Sequence, residues 1–230
     1  LVLSTIDPNY VNFKEAIQTT WMQEFRRLGI KCFFYEGAND TKASQGETIK
    51  LKAPDELKGV SEKFTTALKF IFQEYPDTKL VYRTNLSSYI DVYNFIKFLH
   101  SFEINENTYA GILGKTNMLK EYLYKYKVFK YLLRYIPFGK KLYFASGSGF
   151  FLGSTHCQTI ISSQVNLNLV DDVMIAKTIK LAPSDIVSPK RIDVNKKTKE
   201  YFTEAIYDKL VENDLLFHFR FKTNNRIMDA

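Results

Sequence analysis

Apolar positions recur along the chain with two alternating periods. Short apolar runs at Leu1–Thr5, Lys31–Tyr35, Leu80–Tyr82 and Tyr109–Leu113 are bounded by turn residues and read as buried strands. Between them, apolar residues return every three or four positions. Ile17, Trp21, Phe25 and Leu28 form one such set. Leu57, Val60, Phe64, Leu68, Ile71 and Phe72 form a second. That spacing puts each set on one face of a helix. A third helix runs from about Tyr89 to Phe102. Asn12 with Glu15 marks the first helix start, Gly29 its stop, and Pro54 opens the second. Ser88 with Asp91 fits a capping box for the third. Residues 36–53 are polar and turn-rich and read as a mobile loop.

Strand–helix alternation through residue 113 predicts an α/β fold, a single domain with a mainly parallel central sheet flanked by helices. Ligands of such sheets sit beyond the carboxyl ends of the strands. Here those ends are Ser4-Thr5, Tyr35-Glu36 and Arg83-Thr84-Asn85. A length of 230 residues suits one generous domain, and no linker divides it.

The second half is less regular. Residues 116–136 read as a basic amphipathic helix, with Leu119, Tyr122, Tyr126, Phe129 and Leu133 on one stripe. From Tyr143 an aromatic strand breaks into a glycine-rich turn, Ser146-Gly147-Ser148-Gly149. A helix-like segment follows, then Asp171-Asp172 ahead of another helix-like run. Near the end, Phe217–Lys222 alternates aromatic residues with His218, Arg220 and Lys222, as a strand with one polar face does.

Charge changes this picture in one place. Between residues 115 and 141 eight basic residues face Glu121 alone, an excess equal to the net charge of +7 carried by the whole chain. A nucleic-acid protein spreads its basic footprint over several elements, so specific nucleic-acid binding is not expected. A non-catalytic docking role for residues 116–136 on an anionic membrane or nucleic acid stays open beside that of a solvated helix. Cys32 and Cys157 are the only cysteines, too few for a disulfide framework, and they favour a reducing compartment. The Lys-, Tyr- and Asn-rich composition fits a cytoplasmic protein of a microbe or large virus. No run of 18 apolar residues is present.

Three features carry candidate chemistry. Glycines at 147 and 149 let backbone approach a ligand, although a bulge in a sheet explains them as simply. As a dinucleotide fingerprint the third glycine, Gly153, is one residue late. Asp171-Asp172 can place a proton-transfer group at a helix start, or merely cap that helix. HExxH, paired CxxC, GxSxG and P-loop motifs are absent, so metalloprotease, zinc-ribbon, serine-hydrolase and P-loop readings lose support.

Several stretches, in order, resemble the β-1,3-galactosyltransferase and Fringe-like group of GT-A glycosyltransferases. Phe13–Trp21, FKEAIQTTW, resembles its R-x-A-I-R-x-T-W helix. Leu57–Ile71 is similar to its L-T-x-K-T helix, with Lys63 at the lysine. Leu80–Tyr89 falls where the group has a strand ending in K-T-D-D-D. Tyr143–Gly153 resembles Y-x-S-G-x-G-Y-x-x-S, and VDDVMIAKTIK the E-D-V-x-x-G segment that follows. The resemblance spans about residues 1–180.

It implies a GT-A domain with a nucleotide-sugar-binding half at 1–113 and an acceptor-binding half at 114–230. The implied activity is inverting transfer from a nucleotide-sugar, a UDP-sugar foremost, to a hydroxyl of a glycan, protein or lipid-linked acceptor. Asp172 is the implied base, with Asp171 second. Thr5, Lys63, Arg83, Thr84, Asn85 and Ser87 would bind the donor, and Ser146, Gly147, Ser148 and Gly149 the acceptor. The group uses manganese or magnesium, yet Asn85-Leu86-Ser87 stands where its acidic triplet would be. Three outcomes follow: a metal held by the donor phosphates and His218, cations such as Arg83, Lys63, Arg220 or Lys222 in its place, or a non-catalytic binding module.

Overall fold

The computed structural model describes residues 1–38, 46–117, 141–181, 190–195 and 215–222. Its strands are β1 (Val2–Leu3), β2 (Phe34–Ala38), β3 (Thr48–Lys52), β4 (Leu80–Asn85), β5 (Ser88–Ile90), β6 (Tyr109–Asn117), β7 (Lys141–Gly153), β8 (Arg191–Asn195) and β9 (His218–Lys222). Its helices are α1 (Val11–Thr19), α2 (Trp21–Arg27), α3 (Val60–Glu74), α4 (Val92–Ser101), α5 (Ser154–Ser162) and α6 (Asp171–Ile179).

Six strands form one mixed sheet in the order β3-β2-β1-β4-β7-β6. The first four are parallel, and β2, β1 and β4 among them are strands the alternation predicts; β7 runs antiparallel to both its neighbours, so the predicted strand at β6 pairs antiparallel. Residues of both chain halves therefore share one sheet. A second sheet, β5-β9-β8, stands apart from it.

Alternation along the strands divides the core into two layers. Phe33, Tyr35, Phe150 and Leu152 meet Phe64 and Leu68 of α3 and Met174 of α6 on one face. Phe34, Phe151 and Val2 meet Trp21, Phe25, Phe95 and Phe217 on the other. Phe151 is fully buried, with Phe98 stacked on it and Tyr82 4.5 Å away, centroid to centroid. Truncating such a residue to Ala costs ~3–5 kcal/mol.

Several expectations are corrected. Of the stretch 36–53 read as a loop, the described residues hold the end of β2 and all of β3, and residues 39–45 lie outside the described residues. Ile49 and Leu51 of β3 point inward, and Lys50 and Lys52 alternating with them gave the stretch its polar look. The first helix breaks at Thr20, so Trp21 restarts it as α2, and Leu28 is 57% exposed. Gly29 does end it, with φ +75. Asp7, not Asn12, provides the cap, accepting from Asn9 N in a 3-10 turn ahead of α1. The helix expected from Pro54 starts at Val60, after a 3-10 turn at Leu57–Gly59. Asp91 alone caps α4, and Ser88 belongs to β5.

The expected glycine turn is a bulge inside β7. Gly111 pairs with Phe150 and Leu113 with Ala145, so Ser146–Gly149 is looped out of the ladder with β6, while Gly149 still pairs with Thr84 of β4. The basic helix placed at 116–136 falls almost wholly outside the described residues, and Thr116 and Asn117 end β6. Among the described residues no helix is long and apolar enough to cross a membrane.

Candidate functional site

The carboxyl ends of β1 and β4 open into a cleft of about 750 Å³. Thr5, Lys63, Asn85 and Ser87 all line it, so four of the six donor-side residues expected from the sequence converge. Arg220 and Lys222 of β9 and the acid Asp55 complete its polar wall.

Asp55, just past β3, is a residue the sequence reading missed. Its carboxylate accepts from the Thr5 hydroxyl, from Ile6 N at 2.9 Å, from Gly37 N at 2.9 Å and from Lys63 Nζ at 3.0 Å. Burial works against its charge, but these donors outweigh it and hold the carboxyl below its usual range. Lys63 is 2% exposed, and its ammonium also donates to the carbonyls of Asp55 and Ser4. It is thus a buried strut between α3, β1 and Asp55. Gly37 leaves the room this needs: a Cβ there would lie 2.4 Å from Ala53 O.

Asn85 stands where the resemblance leads one to look for a metal ligand. Its side-chain oxygen accepts from Ser87 N at 3.2 Å, Ser87 Oγ at 2.9 Å and Ser88 Oγ at 3.1 Å. That folds Asn85–Ser88 into an Asx turn joining β4 to β5. Phe221 N then donates to Ser87 O, seating β9 beside the turn.

Arg83 and Thr84 do not reach the cleft. Thr84 donates to Ser148 O at 2.9 Å, tying β4 to the bulge. Arg83, 2% exposed, forms a buried ion pair with Asp171 and donates to the Tyr35 hydroxyl at 3.1 Å. Burial opposes its charge, but Asp171 and Tyr35 keep the guanidinium more basic than usual. Asp171 is therefore a structural counterion.

Asp172, the next residue, is different. It is only partly buried, at the second position of α6. Its Oδ2 accepts from Gly147 N at 2.9 Å and its Oδ1 from Val173 N at 2.8 Å. Burial, then the adjacent Asp171 charge, push its carboxyl up from 3.8 to about 6, while the Gly147 bond and Arg83 pull the other way. Gly147 sits directly over this group: a Cβ would lie 3.1 Å from Asp172 Oδ2 and 3.3 Å from Arg83 Nη1. The β4–β7 register puts Gly147 beyond the carboxyl end of β4, on the same edge as the cleft. Asp172 is not among the residues lining the cleft.

His218 is buried, and each ring nitrogen has a partner. Nδ1 meets the Tyr82 hydroxyl at 3.1 Å and Nε2 the Ser88 hydroxyl at 2.9 Å. Burial, then Arg191 and Arg220, depress its basicity far below the usual value. It packs on Gly149, where a Cβ would come within 2.3 Å of the imidazole. Its role here is to lock β9 onto β7, not to face a ligand. Arg191 of β8 does likewise from the side, donating to Ser148 Oγ and to Ser146 Oγ at 3.3 Å.

Taken as a donor set, these residues do not suit a hard divalent cation, which wants several unengaged oxygens. The Asn85 oxygen, both Asp55 oxygens and both His218 nitrogens are committed. Among the described residues no three His, Cys, Asp or Glu side chains form a metal-binding group. A smaller, largely apolar cavity of about 380 Å³ lies between Trp21, Phe25, Tyr75 and Leu99, at the amino ends of the strands and away from the carboxylates.

The sequence has no match among protein-family models and none at a significant level among curated proteins.

Proposed function

We propose that the chain is an inverting glycosyltransferase that moves a sugar from a nucleotide-sugar to a hydroxyl acceptor. One juxtaposition carries the reading. A cleft with more cations than acids, sized for a nucleotide diphosphate, shares a sheet edge with a carboxylate, Asp172, whose proton affinity is raised to about 6. The sequence resemblance to the β-1,3-galactosyltransferase and Fringe-like group supports the same roles.

In this reaction the acceptor oxygen attacks the anomeric carbon and forms the new C–O bond. The bond from that carbon to the donor phosphate breaks, and its electron pair leaves with the diphosphate. Asp172 takes the hydroxyl proton, a task typically contributing ~10²–10⁴-fold. Gly147 N holds the carboxylate in place, and Arg83 fixes Asp171 behind it. The bulge Ser146–Gly149 forms the acceptor side, and Thr5, Asn85 and Ser87 the donor side.

The test is a panel of nucleotide-sugars and simple glycoside acceptors, run with the native chain and Asp172→Asn. Transfer by the native chain, lost in Asp172→Asn with nucleotide binding intact, is the expected result. Undiminished transfer by Asp172→Asn overturns the assignment.

A further inference from the structure

The cleft has a surplus of positive charge that its own acids do not use. Asp55 is answered by Lys63, and Asp7 caps the turn at Pro8–Tyr10. Arg83 and Lys63, two of the cations considered from the sequence, are buried and paired. Arg220 and Lys222 remain. They lie two residues apart on β9, hence on one face of the strand, and both line the cleft. Neither forms a salt bridge with a described carboxylate. Among the described residues the Arg220 Nε is a buried donor without a hydrogen-bond partner, and such donors are rare because each costs free energy.

We infer that the cleft is a metal-independent diphosphate site, in which Arg220 and Lys222 stand where a divalent cation would otherwise bridge the phosphates. The inference rests on the transferase reading only for the sugar; the diphosphate follows from the cleft itself. The guanidinium gives a planar fork matched to two phosphate oxygens, and the ammonium a second point charge beside it. The Asx turn at Asn85–Ser88 holds β9 at this height through Phe221 N. Burial, then Arg191 for Arg220 and Arg220 for Lys222, lower the basicity of both groups, and Asp193, itself paired with Arg191, offsets this only in part. An anion between them removes that repulsion.

Calorimetry on the full chain with UDP, pyrophosphate and phosphate, each in EDTA and then in Mn²⁺, tests this. Binding in EDTA is expected, with UDP and pyrophosphate well ahead of phosphate. Arg220→Gln should weaken it ~10- to 100-fold, the scale of a charge-assisted hydrogen bond. Lys222→Gln should weaken it several-fold, and Lys97→Gln, on the exposed side of α4, should not. Binding that needs Mn²⁺, or that ignores both Arg220→Gln and Lys222→Gln, overturns the inference. Should Arg220→Gln fail to fold by circular dichroism, the exposed Lys222 and the salt dependence of native binding decide. Transfer abolished by EDTA would sink the clamp and keep the transferase. Metal-free pyrophosphate binding without transfer from any nucleotide-sugar would do the reverse.

Discussion

Asp172→Asn should make the protein more stable at neutral pH while abolishing transfer. The carboxyl titrates at about 6 in the folded chain against an ordinary 3.8. Folding therefore favours its protonated form, and ionised Asp172 is a cost the native state bears above pH 6. The gap corresponds to ~3 kcal/mol in full, and partial exposure trims it to ~1–3 kcal/mol. Asn approximates the protonated carboxyl in shape and charge. Both oxygens of Asp172 are acceptors here, toward Gly147 N and Val173 N, so Asn and the protonated acid turn the same kind of donor toward one of them. The advantage of Asn should be fully present above pH 6, shrink as pH falls, and vanish only below 3.8, where Asp172 is protonated in both states. Urea unfolding of native chain and variant at pH 7.5, 6, 5 and 4 measures it, together with transfer at pH 7.5. A stability difference of the same size at every pH would refute the reasoning, since the carboxyl would then have the same proton affinity in the folded and unfolded chain.

Three further outcomes follow from the same geometry. Arg83→Met leaves Asp171 buried without its cation and should cost ~3–5 kcal/mol, most of it recovered in Arg83→Met/Asp171→Leu; a chemical-denaturation cycle without coupling would contradict the pair. Gly149→Ala drives a methyl into an imidazole already held at both nitrogens and should cost ~1–3 kcal/mol by the same assay; an unchanged midpoint would show that β9 is not seated on the bulge. His218 has a depressed folded pKa, so its contribution is complete above its ordinary 6.5 and is lost as pH falls below it. Subtracting the opposite slope of Asp172, His218→Gln should lack this acid-dependent loss, and an unaltered pH profile in that variant would exclude a buried neutral imidazole.

The order of elements was legible because strands and helices impose different periods on the same apolar residues. Phe64, Leu68 and Ile71 could be assigned inward from spacing alone, and so could the alternation of Phe217–Lys222. β3 escaped because five residues with alternating lysines resemble a polar loop until a neighbouring strand pairs with them. The glycine tetrad could not be resolved between turn and bulge, because only pairing with β6 distinguishes the two.

At the site, residue types were informative and partnerships were not. Local sequence already carried an acid pair at a helix start, a strand end at Arg83–Asn85 and a basic alternating strand. Which acid is committed and which is poised was decided 88 residues away, by Arg83 reaching Asp171 and leaving Asp172 to Gly147. Lys63 and His218 looked like ligand-facing groups but are buried with partners, and Asp55 went unmarked until Thr5, Gly37 and Lys63 closed around it. Period is a local property of the chain, set by backbone geometry. Burial, and with it the pairing or freedom of each charge, depends on contacts between distant segments, and these exist only once the sheet has assembled.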